Sequence, residues 1–348
     1  MIHFDKYTIS EKATIREALR KINDISSEAQ MLFVVDASQR VIAALSDGDI
    51  RRGIISGHEL SESVENIMFR EFQFIEENEL KVNIIPELRK KGIQVVPLLS
   101  KEGHLFRILN FKKQHSLLPI DAVIMAGGKG ERLRPLTEKT PKPLLPVGNK
   151  AIIDHNVDRL IQYGIEHISV TTNYLAEQIE SHYAQPHNEV QIQCVREPKF
   201  LGTAGAVRFV PKFYNDVILL MNSDLFTDID FEDMYLHFID NDADMSIAAI
   251  PYTVSVPFGI CDLEGRLVKG IVEKPTYNYY ANAGIYMFRR EVIDMIPKNE
   301  FYNATDLIDA LVKNDKCVIR YPLNGTWIDI GTMSEYQKAQ DLVKHINL

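Results

Sequence analysis

The sequence is poor in the residues that would indicate a secreted protein, a zinc protein or a membrane protein. Its three cysteines, Cys194, Cys261 and Cys317, are scattered and lack metal-ligand spacing, which argues against a disulfide framework or a cysteine-ligated zinc. The histidines form no HExxH-type pair. No apolar run approaches the length of a membrane span, and the N-terminal residues lack the apolar core of a signal peptide. We therefore expect a cytoplasmic protein without a membrane partner.

Positive charge is also scarce. The chain has 39 lysines and arginines against 48 aspartates and glutamates, a net charge of -9. A nucleic-acid-binding protein should carry a basic face, so we expect no nucleic-acid partner. A length of 348 residues is large for a single core and predicts two domains.

The most informative stretch is DAVIMAGGKGERLRPLTEKTPKPLLPV, residues 121–147. Its first apolar run has the length of one buried strand, and three glycines follow it almost at once. A strand that ends in a glycine-rich turn brings backbone N–H groups close to a ligand above the sheet. A set of basic residues comes next: Lys129, Arg132, Arg134, Lys139 and Lys142. A basic loop of this kind, stiffened by four prolines, predicts a polyphosphate-binding site.

Two familiar phosphate loops do not fit this stretch. A Walker A loop needs Ser or Thr after its Gly-Lys pair, whereas Lys129 is followed by Gly130. The dinucleotide fingerprint, counted from Gly128, needs a third Gly or Ala where this chain has Leu133. A simple tight turn with solvated basic residues would explain the glycines, but not the whole run GGKGERLRPL followed by PKPLLPV.

This run resembles the signature of the sugar-1-phosphate nucleotidylyltransferases, which make nucleotide sugars. The resemblance extends from about residue 120 to the last residue. It implies that Arg132 and Lys142 are catalytic and contact the phosphates of both substrates. Where the family usually has Thr or Ser, this chain has Glu131, which places a carboxylate beside the phosphates. The loop that wraps the nucleoside triphosphate would comprise Ala126, Gly127, Gly128 and Gly130.

Residues 1–116 have a different pattern and are expected to form a separate domain, followed by a second domain at 117–348. The first of these contains two copies of one unit, offset by about 64 residues. Each copy has a helix followed by two strands, with the second helix predicted at 80–91. The four strands are predicted at 31–35, 41–45, 95–99 and 105–109.

This repeat resembles a tandem pair of cystathionine-β-synthase (CBS) motifs, a regulatory module that often binds adenine nucleotides. The resemblance implies that Ser46 and Asp49 hold a ribose, since a carboxylate accepts hydrogen bonds from both hydroxyls. The alternative is that the two residues only cap the following helix. In the second copy, Asn110 and Lys113 occupy the corresponding positions, so we expect at most one nucleotide site. Such modules also pair with each other, which implies a homo-oligomer even where they bind no nucleotide.

Strands alternate with helices beyond residue 117, which predicts an α/β domain with a mostly parallel, wound, Rossmann-like sheet. In such sheets, ligands bind beyond the carboxyl ends of the strands. The predicted helices are 151–163 and 175–183, and the predicted strands include 168–171, 192–195 and 217–221.

Two carboxylates are expected to hold Mg²⁺. Asp224 follows an apolar strand, and Asp329 lies in WIDIG at 327–331. Mg²⁺ usually takes one or two carboxylates, with phosphates and waters completing its octahedron. The resemblance also places the metal-binding pair of the family in these motifs. The simpler alternative for Asp224 is a turn cap.

Further motifs supply the remaining candidates. The resemblance implies that EPKFLGTAG contacts the nucleotide through Glu197, Gly202 and Thr203, although Thr203 could instead cap a helix. For Glu273 and Lys274 in IVEKP, the alternative is a salt-bridged surface turn. The candidates for binding the sugar phosphate are Asn173, Glu273, Lys274, Asn282 and Gly284.

The predicted reaction is Mg²⁺-dependent attack of a sugar 1-phosphate on the α-phosphorus of a nucleoside triphosphate, releasing pyrophosphate. The form Leu-Gly-Thr-Ala-Gly at 201–205 is more similar to guanylyltransferases, which favours GTP. A CBS pair joined to this domain resembles the glucosamine-1-phosphate guanylyltransferases of bacterial legionaminic acid biosynthesis, which implies glucosamine 1-phosphate. The alternatives are mannose 1-phosphate with GTP, then glucose 1-phosphate with UTP or dTTP. A nucleotide-sensing protein without activity is a further alternative.

Overall fold

The computed structural model describes residues 4–77 and 82–344. These residues form two compact units, which divide the chain between Leu117 and Leu118, except that Gln162–Gly164 are grouped with the first unit. The predicted domain boundary at 116/117 lies one residue from this division. No helix within the described ranges is both long and apolar enough to cross a lipid bilayer.

The first unit is made of short strands and helices. They are β1 (Thr8–Ser10), α1 (Ile15–Asp24), β2 (Met31–Val35), β3 (Val41–Ser46), α2 (Asp47–Ile55), β4 (Ile75–Glu76), α3 (Ile84–Lys90), β5 (Val95–Leu99) and β6 (Leu105–Asn110).

The same strand arrangement occurs twice in this unit. β2 lies between parallel β1 and antiparallel β3, and β5 lies in the same way between β4 and β6. β5 begins 64 residues after β2, which agrees with the predicted offset. The predicted second helix is observed from Ile84, while residues 80 and 81 of that prediction lie outside the described residues. After β6, residues 111–113 form a turn where the first copy has α2.

The second unit contains a larger set of elements. They are β7 (Ile120–Ala126), β8 (Pro146–Val147), β9 (Lys150–Ala151), α4 (Ile152–Gln162), β10 (His167–Thr172), α5 (Ala176–His182), β11 (Ile192–Arg196), β12 (Val217–Asn222), β13 (Leu225–Thr227), α6 (Phe231–Asp240), β14 (Met245–Ser255), β15 (Ile260–Glu264), β16 (Leu267–Val272), β17 (Thr276–Arg289), α7 (Ala304–Lys313), β18 (Val318–Pro322), β19 (Trp327–Asp329) and α8 (Met333–Val343).

Its main sheet has seven strands in the order β11-β10-β7-β12-β17-β14-β18. The first four strands are parallel, β17 is antiparallel to both of its neighbours, and β14 is parallel to β18. The predicted α/β fold with a mostly parallel sheet is therefore confirmed. The chain adds β10 and β11 on one side of β7 and then returns to add β12 on the other. This reversal leaves a crevice at the carboxyl ends of β7 and β12, where wound sheets bind ligands.

The central strands β7 and β12 are almost entirely buried because both faces of a parallel sheet are covered. Asp121 is the one charged residue in these two strands, and its side chain is only 3% exposed. It accepts hydrogen bonds from the backbone N–H groups of Tyr214 and Asn215 and from Asn215 Nδ2. Asp121 thereby holds the segment before β12 against the start of β7.

We expect Asp121→Ala to lower the free energy of unfolding by about 2–3 kcal/mol, because the donors lose their buried acceptor. Urea unfolding followed by the fluorescence of Trp327, the single tryptophan, measures this change. The matched control is Asp216→Ala, which removes an exposed carboxylate paired with Arg290 at 2.8 Å and should change stability by less than about 0.5 kcal/mol. Equal losses in the two variants would contradict the assigned role.

Candidate active site

The carboxyl ends of four parallel strands meet around a cavity of about 660 Å³. The residue that directly follows each strand lines this cavity, as the wound topology requires. These residues are Gly127 after β7, Asn173 after β10, Glu197 after β11 and Ser223 after β12.

The basic loop after β7 folds into three short 3-10 turns, at 131–133, 136–138 and 142–144, as its prolines lead one to expect. Gly130 has a φ of 62°, and a Cβ there would lie 3.0 Å from the side chains of Thr137 and Lys142. The Thr137 hydroxyl donates to the Gly130 carbonyl at 2.8 Å. Gly130 is therefore needed where the loop folds back and places Lys142 in the cavity wall.

Lys142 and Asp224 form an ion pair inside this wall. Lys142 is 8% exposed, and its ammonium donates to Asp224 Oδ2. Within the described part of the chain, Asp224 Oδ1 is buried without a hydrogen-bond partner, and so is Asp329 Oδ1. Pairing of Leu225 with Asp329 across β13 and β19, together with the 3.0 Å bond from Ile330 N to the Asp224 carbonyl, holds the two aspartates close together.

These two aspartates have the chemistry of a Mg²⁺ site. Burial raises the pKa of Asp329, and the negative charge of Asp224 raises it further. Two buried carboxylate oxygens that lack donors and repel each other are stabilised by a cation. Among residues 4–77 and 82–344, no cluster of three or more His, Cys, Asp or Glu side chains could hold a metal. The carboxylate pair of Asp224 and Asp329 fits Mg²⁺ by its donor chemistry, because Mg²⁺ usually takes one or two carboxylates, with substrate phosphates and waters as its remaining ligands.

Arg132 links two sides of the cavity. Its guanidinium lies against the backbone of Gly331, where a Cβ would be 3.0 Å from Arg132 Nη2. The loop after β7 and the segment after β19 therefore meet at this arginine. Glu131, the departure from the usual family loop, also lines the cavity and lies 3.6 Å from Arg134. Lys139, from the same basic stretch, is exposed and is not part of the lining.

Gly202 and Thr203 both line the cavity, but Thr203 does not cap its own segment. Its hydroxyl oxygen accepts a hydrogen bond from Ala304 N, at the start of α7, at 2.8 Å. The expected helix after this motif is a 3-10 turn, Gly205–Phe209. Gly202 has a φ of 78°, and a Cβ there would lie 2.8 Å from the Tyr302 carbonyl.

The remaining sugar-site candidates lie outside the cavity lining. Glu273 and Lys274 occupy an exposed turn between β16 and β17. Asn282 donates to the Tyr286 hydroxyl at 2.8 Å and accepts from Gly284 N at 2.9 Å. Both Asn282 and Gly284 lie within β17. Their roles in sugar binding stay predictions. Ala126 is buried at the end of β7, and its role in binding the nucleoside triphosphate also stays a prediction.

Some lining residues were not assigned a role from the sequence. Phe200 is 51% exposed at the cavity, and its position between Glu197 and Gly202 in one motif was the available signal. Asn222 also lines the cavity and explains the glycine at 284, where a Cβ would be 2.5 Å from Asn222 Nδ2. The other unassigned lining residues include Met125, Leu133, Pro143 and Ser223.

In the first unit, Ser46 and Asp49 form a capping box at the start of α2. Ser46 Oγ accepts from Asp49 N, Asp49 Oδ2 accepts from the Ser46 backbone and hydroxyl, and Arg52 pairs with Asp49 Oδ1. The capping interaction is thus present, and binding of a ribose at these residues stays a prediction. In the second copy, Asn110 instead donates to the Glu28 carbonyl at 2.8 Å.

Comparison with known proteins agrees with this geometry. Residues 121–345 match the family model described as nucleotidyl transferase. The chain belongs to the nucleotidyl transferase family. Residues 2–56, which contain the first copy of the N-terminal repeat, match the CBS domain model.

Relatives in this family act on sugar 1-phosphates, as their names state. The chain is 33% identical over 236 residues to the mannose-1-phosphate guanylyltransferase of Mycobacterium tuberculosis, covering 65% of this chain and 66% of that protein. It is 30% identical over 240 residues to the UTP–glucose-1-phosphate uridylyltransferase of Synechocystis sp., covering 63% and 62%. The matches thus span less than two thirds of these curated relatives' lengths.

A solved structure from Bacillus anthracis has a similar fold. This protein, provisionally assigned as a glucose-1-phosphate thymidylyltransferase and in complex with a sucrose, superposes with a TM-score of 0.53 at 26% identity. The match covers 66% of this chain and 97% of that one.

Glu197 has an unusual electrostatic environment in the cavity. It is 5% exposed, and Oε2 accepts a hydrogen bond from Leu201 N at 3.0 Å. Burial raises the pKa of Glu197 to about 7, whereas a glutamate in an unfolded chain titrates near 4.3. Because the folded pKa is the higher one, the neutral form is favoured. The contribution of protonated Glu197 to the free energy of unfolding is therefore complete at a pH below the pKa that Glu197 has in the unfolded chain. This contribution is lost as the pH rises through the folded pKa of about 7.

We expect the stability of the wild type, measured relative to Glu197→Gln, to fall by about 1–2 kcal/mol between pH 5 and pH 8. This figure is reduced because the cavity is open to solvent, which screens part of the effect. Urea unfolding of both proteins at several pH values tests it. Parallel pH profiles would show that Glu197 titrates alike in the folded and unfolded chains.

Proposed function

We propose that the chain transfers a nucleoside monophosphate from a nucleoside triphosphate to a sugar 1-phosphate, with Mg²⁺ as cofactor and pyrophosphate as the second product. The observation that carries this proposal is that a glycine-opened basic loop meets Asp224 in the cavity wall, with Asp329 held beside it. Among the described residues, one buried oxygen of each carboxylate has no hydrogen-bond partner. Membership of the nucleotidyl transferase family and the names of the relatives support the reaction class.

Each residue has a distinct part in this reaction. The N–H groups of the glycine loop and the Arg132 guanidinium bind the β- and γ-phosphates and stabilise the leaving pyrophosphate. Lys142 bridges the α-phosphate and the incoming sugar phosphate, so that the attacking and leaving oxygens are held in line. Asp224 and Asp329 would hold Mg²⁺, which would neutralise negative charge on the phosphates. No nucleophilic side chain is required, because the sugar phosphate attacks directly.

The form Leu-Gly-Thr-Ala-Gly at 201–205 supports GTP as the donor, because it is more similar to the form in guanylyltransferases. The guanylyltransferase relative from Mycobacterium tuberculosis also favours GTP.

The acceptor sugar has three candidates. Glucosamine 1-phosphate comes first, from the combination of a CBS unit with this catalytic unit, and would place the product in legionaminic acid biosynthesis. Mannose 1-phosphate comes second and is favoured by the name of the mycobacterial relative. Glucose 1-phosphate with UTP or dTTP comes third and is favoured by the Synechocystis relative.

The first test crosses nucleotides with sugar phosphates. Pyrophosphate release would be measured with GTP, UTP, dTTP, CTP and ATP against the 1-phosphates of glucosamine, N-acetylglucosamine, mannose and glucose. We expect the highest kcat/KM for GTP with glucosamine 1-phosphate. A preference for mannose 1-phosphate would keep the reaction and change the sugar. Silence across the grid, with and without added AMP, would refute the proposal and favour a nucleotide-sensing protein.

A second test concerns the buried ion pair. We expect Lys142→Ala and Asp224→Asn each to lower kcat by about 10²–10³-fold, the usual effect of losing one group that stabilises transition-state charge. Lys139→Ala is the control, since it removes an exposed lysine from the same stretch without touching the cavity. Rates near the wild type in either site variant would overturn the assigned roles.

A further inference from the structure

The basic loop after β7 is held in two different ways along its length. In its second half, Lys142 and the prolines on both sides of it are buried in the cavity wall. In its first half, residues 128–140, all of which the structure describes, only Leu133 and Thr137 are buried. This half contains Arg132 and two of the glycines that the proposed function assigns to the triphosphate. Because few buried side chains hold it, its shape depends on hydrogen bonds from other segments.

Tyr174, two residues after β10, contacts both ends of this first half. Its backbone N–H donates to the carbonyl of Gly127, where the loop begins, in a long hydrogen bond of 3.4 Å. Its hydroxyl lies 3.0 Å from the Thr137 carbonyl and 3.2 Å from the Glu138 carbonyl, so two acceptors share its one proton. A single residue therefore joins the start of the glycine loop to the turn at 136–138.

Two further hydrogen bonds support this closure. Gln178 in α5 donates from Nε2 to the Lys139 carbonyl at 2.9 Å. Inside the loop, the Thr137 hydroxyl donates to the Gly130 carbonyl. The three consecutive carbonyls of 137–139 thus accept hydrogen bonds from the segment that follows β10. This segment fixes the outer edge of the loop.

Arg132 lies within the closed part of the loop, in the 3-10 turn at 131–133. Leu133 is 1% exposed and belongs to an apolar cluster that includes Phe226 of β13. The loop is thus held near its middle by Leu133 and at its two ends by Tyr174. The guanidinium of Arg132 and the glycine N–H groups lie between these points, so their arrangement is set by the protein itself.

We propose that Tyr174 is a positioning residue for the triphosphate. Its hydroxyl closes the loop in advance, so that the glycine N–H groups and Arg132 need not be ordered at the expense of binding energy. This role rests on the proposed function and deepens it, because it separates the binding of the triphosphate from the chemistry at Lys142 and Asp224. Lys142 lies outside the closed part of the loop and is buried independently of it.

The kinetics of Tyr174→Phe test this role, since the variant loses the hydroxyl and keeps the ring. We expect the KM for GTP to rise about 3–10-fold, the usual effect of losing one hydrogen bond. The inhibition constant of the product pyrophosphate should rise by a similar factor, because pyrophosphate occupies the same N–H groups. The kcat and the KM for the sugar 1-phosphate should stay within about twofold, because Lys142 keeps its own buried contacts.

The matched control is Tyr183→Phe. Tyr183 directly follows α5, is 2% exposed and donates its hydroxyl to Asp154 Oδ1 at 2.8 Å. The control therefore removes a more deeply buried hydroxyl from the same region without touching the loop, and its kinetic constants should match those of the wild type. An unchanged KM for GTP in Tyr174→Phe, or an equal loss of kcat in both variants, would overturn the positioning role.

Limited digestion with trypsin tests the closure of the loop without relying on any activity. Trypsin cuts after lysine and arginine, and the exposed residues Lys129, Arg132 and Lys139 lie in the first half of the loop. We expect cuts at these three sites to be about 3–10-fold faster in Tyr174→Phe than in the wild type or Tyr183→Phe, because cleavage follows the population of the open loop. Cuts elsewhere in the chain should keep their rates.

Equal cleavage of the loop in all three proteins would refute the closure by Tyr174. A wild type that releases no pyrophosphate with any nucleotide, together with faster cleavage of the loop in Tyr174→Phe, would refute the proposed function and leave the closure of the loop supported. Failure of the reaction and failure of the positioning role are therefore distinguished.

Discussion

The candidate active site depends on the interaction of three charged side chains that lie close together and partly buried. Lys142, Asp224 and Asp329 bring one positive and two negative charges together. Asp224 accepts from Lys142, whereas the positive charges of Lys142 and Arg132 only partly offset the burial of Asp329 and its repulsion by Asp224. Burying an uncompensated charge costs several kcal/mol, so this arrangement is unfavourable for stability alone. The same imbalance attracts a cation. The buried carboxylates thus lower the stability of the folded chain, and they are also the groups that a metal-dependent reaction requires.

A small apolar cluster beneath the charges makes this arrangement rigid. It includes Leu133 from the basic loop, Phe226 from β13 and Ile330 after β19, so each of the three charged segments contributes a buried side chain. Asn156 in α4, which is 2% exposed, donates to the Leu225 carbonyl at 2.8 Å and holds the segment after Asp224. The positions of the carboxylates are consequently set by packing around them, and not by the ion pair alone.

Local sequence pattern predicted much of this unit. The apolar runs that became β7, β10, β11 and β12 are bounded by polar residues, and a wound sheet brings the residues after such strands to one edge. The pattern could not reveal contacts between distant segments. Lys142 and Asp224 are 82 residues apart, and Thr203 meets the start of α7 from 101 residues away. A hydroxyl beside a turn looks like a local cap whether its partner is near or far in sequence.

Residues 250–281 form an arm, made of the ends of β14 and β17 beyond the main sheet and the hairpin of β15 and β16. This arm shows a different limit of reasoning from sequence. Alternating Tyr and Val residues have the pattern of a half-buried strand, and this pattern is the same whether the apolar side meets the protein's own core or another molecule. Only the structure shows that β14 and β17 extend beyond their neighbouring strands and that Tyr252, Tyr277 and Tyr279 on this extension are exposed. The turn with Glu273 and Lys274 belongs to this arm, so whatever orders the arm also fixes these two side chains. The predicted contact of Glu273 and Lys274 with the sugar therefore depends on the arm, whereas Lys142 and Asp224 are held in the wall of the cavity.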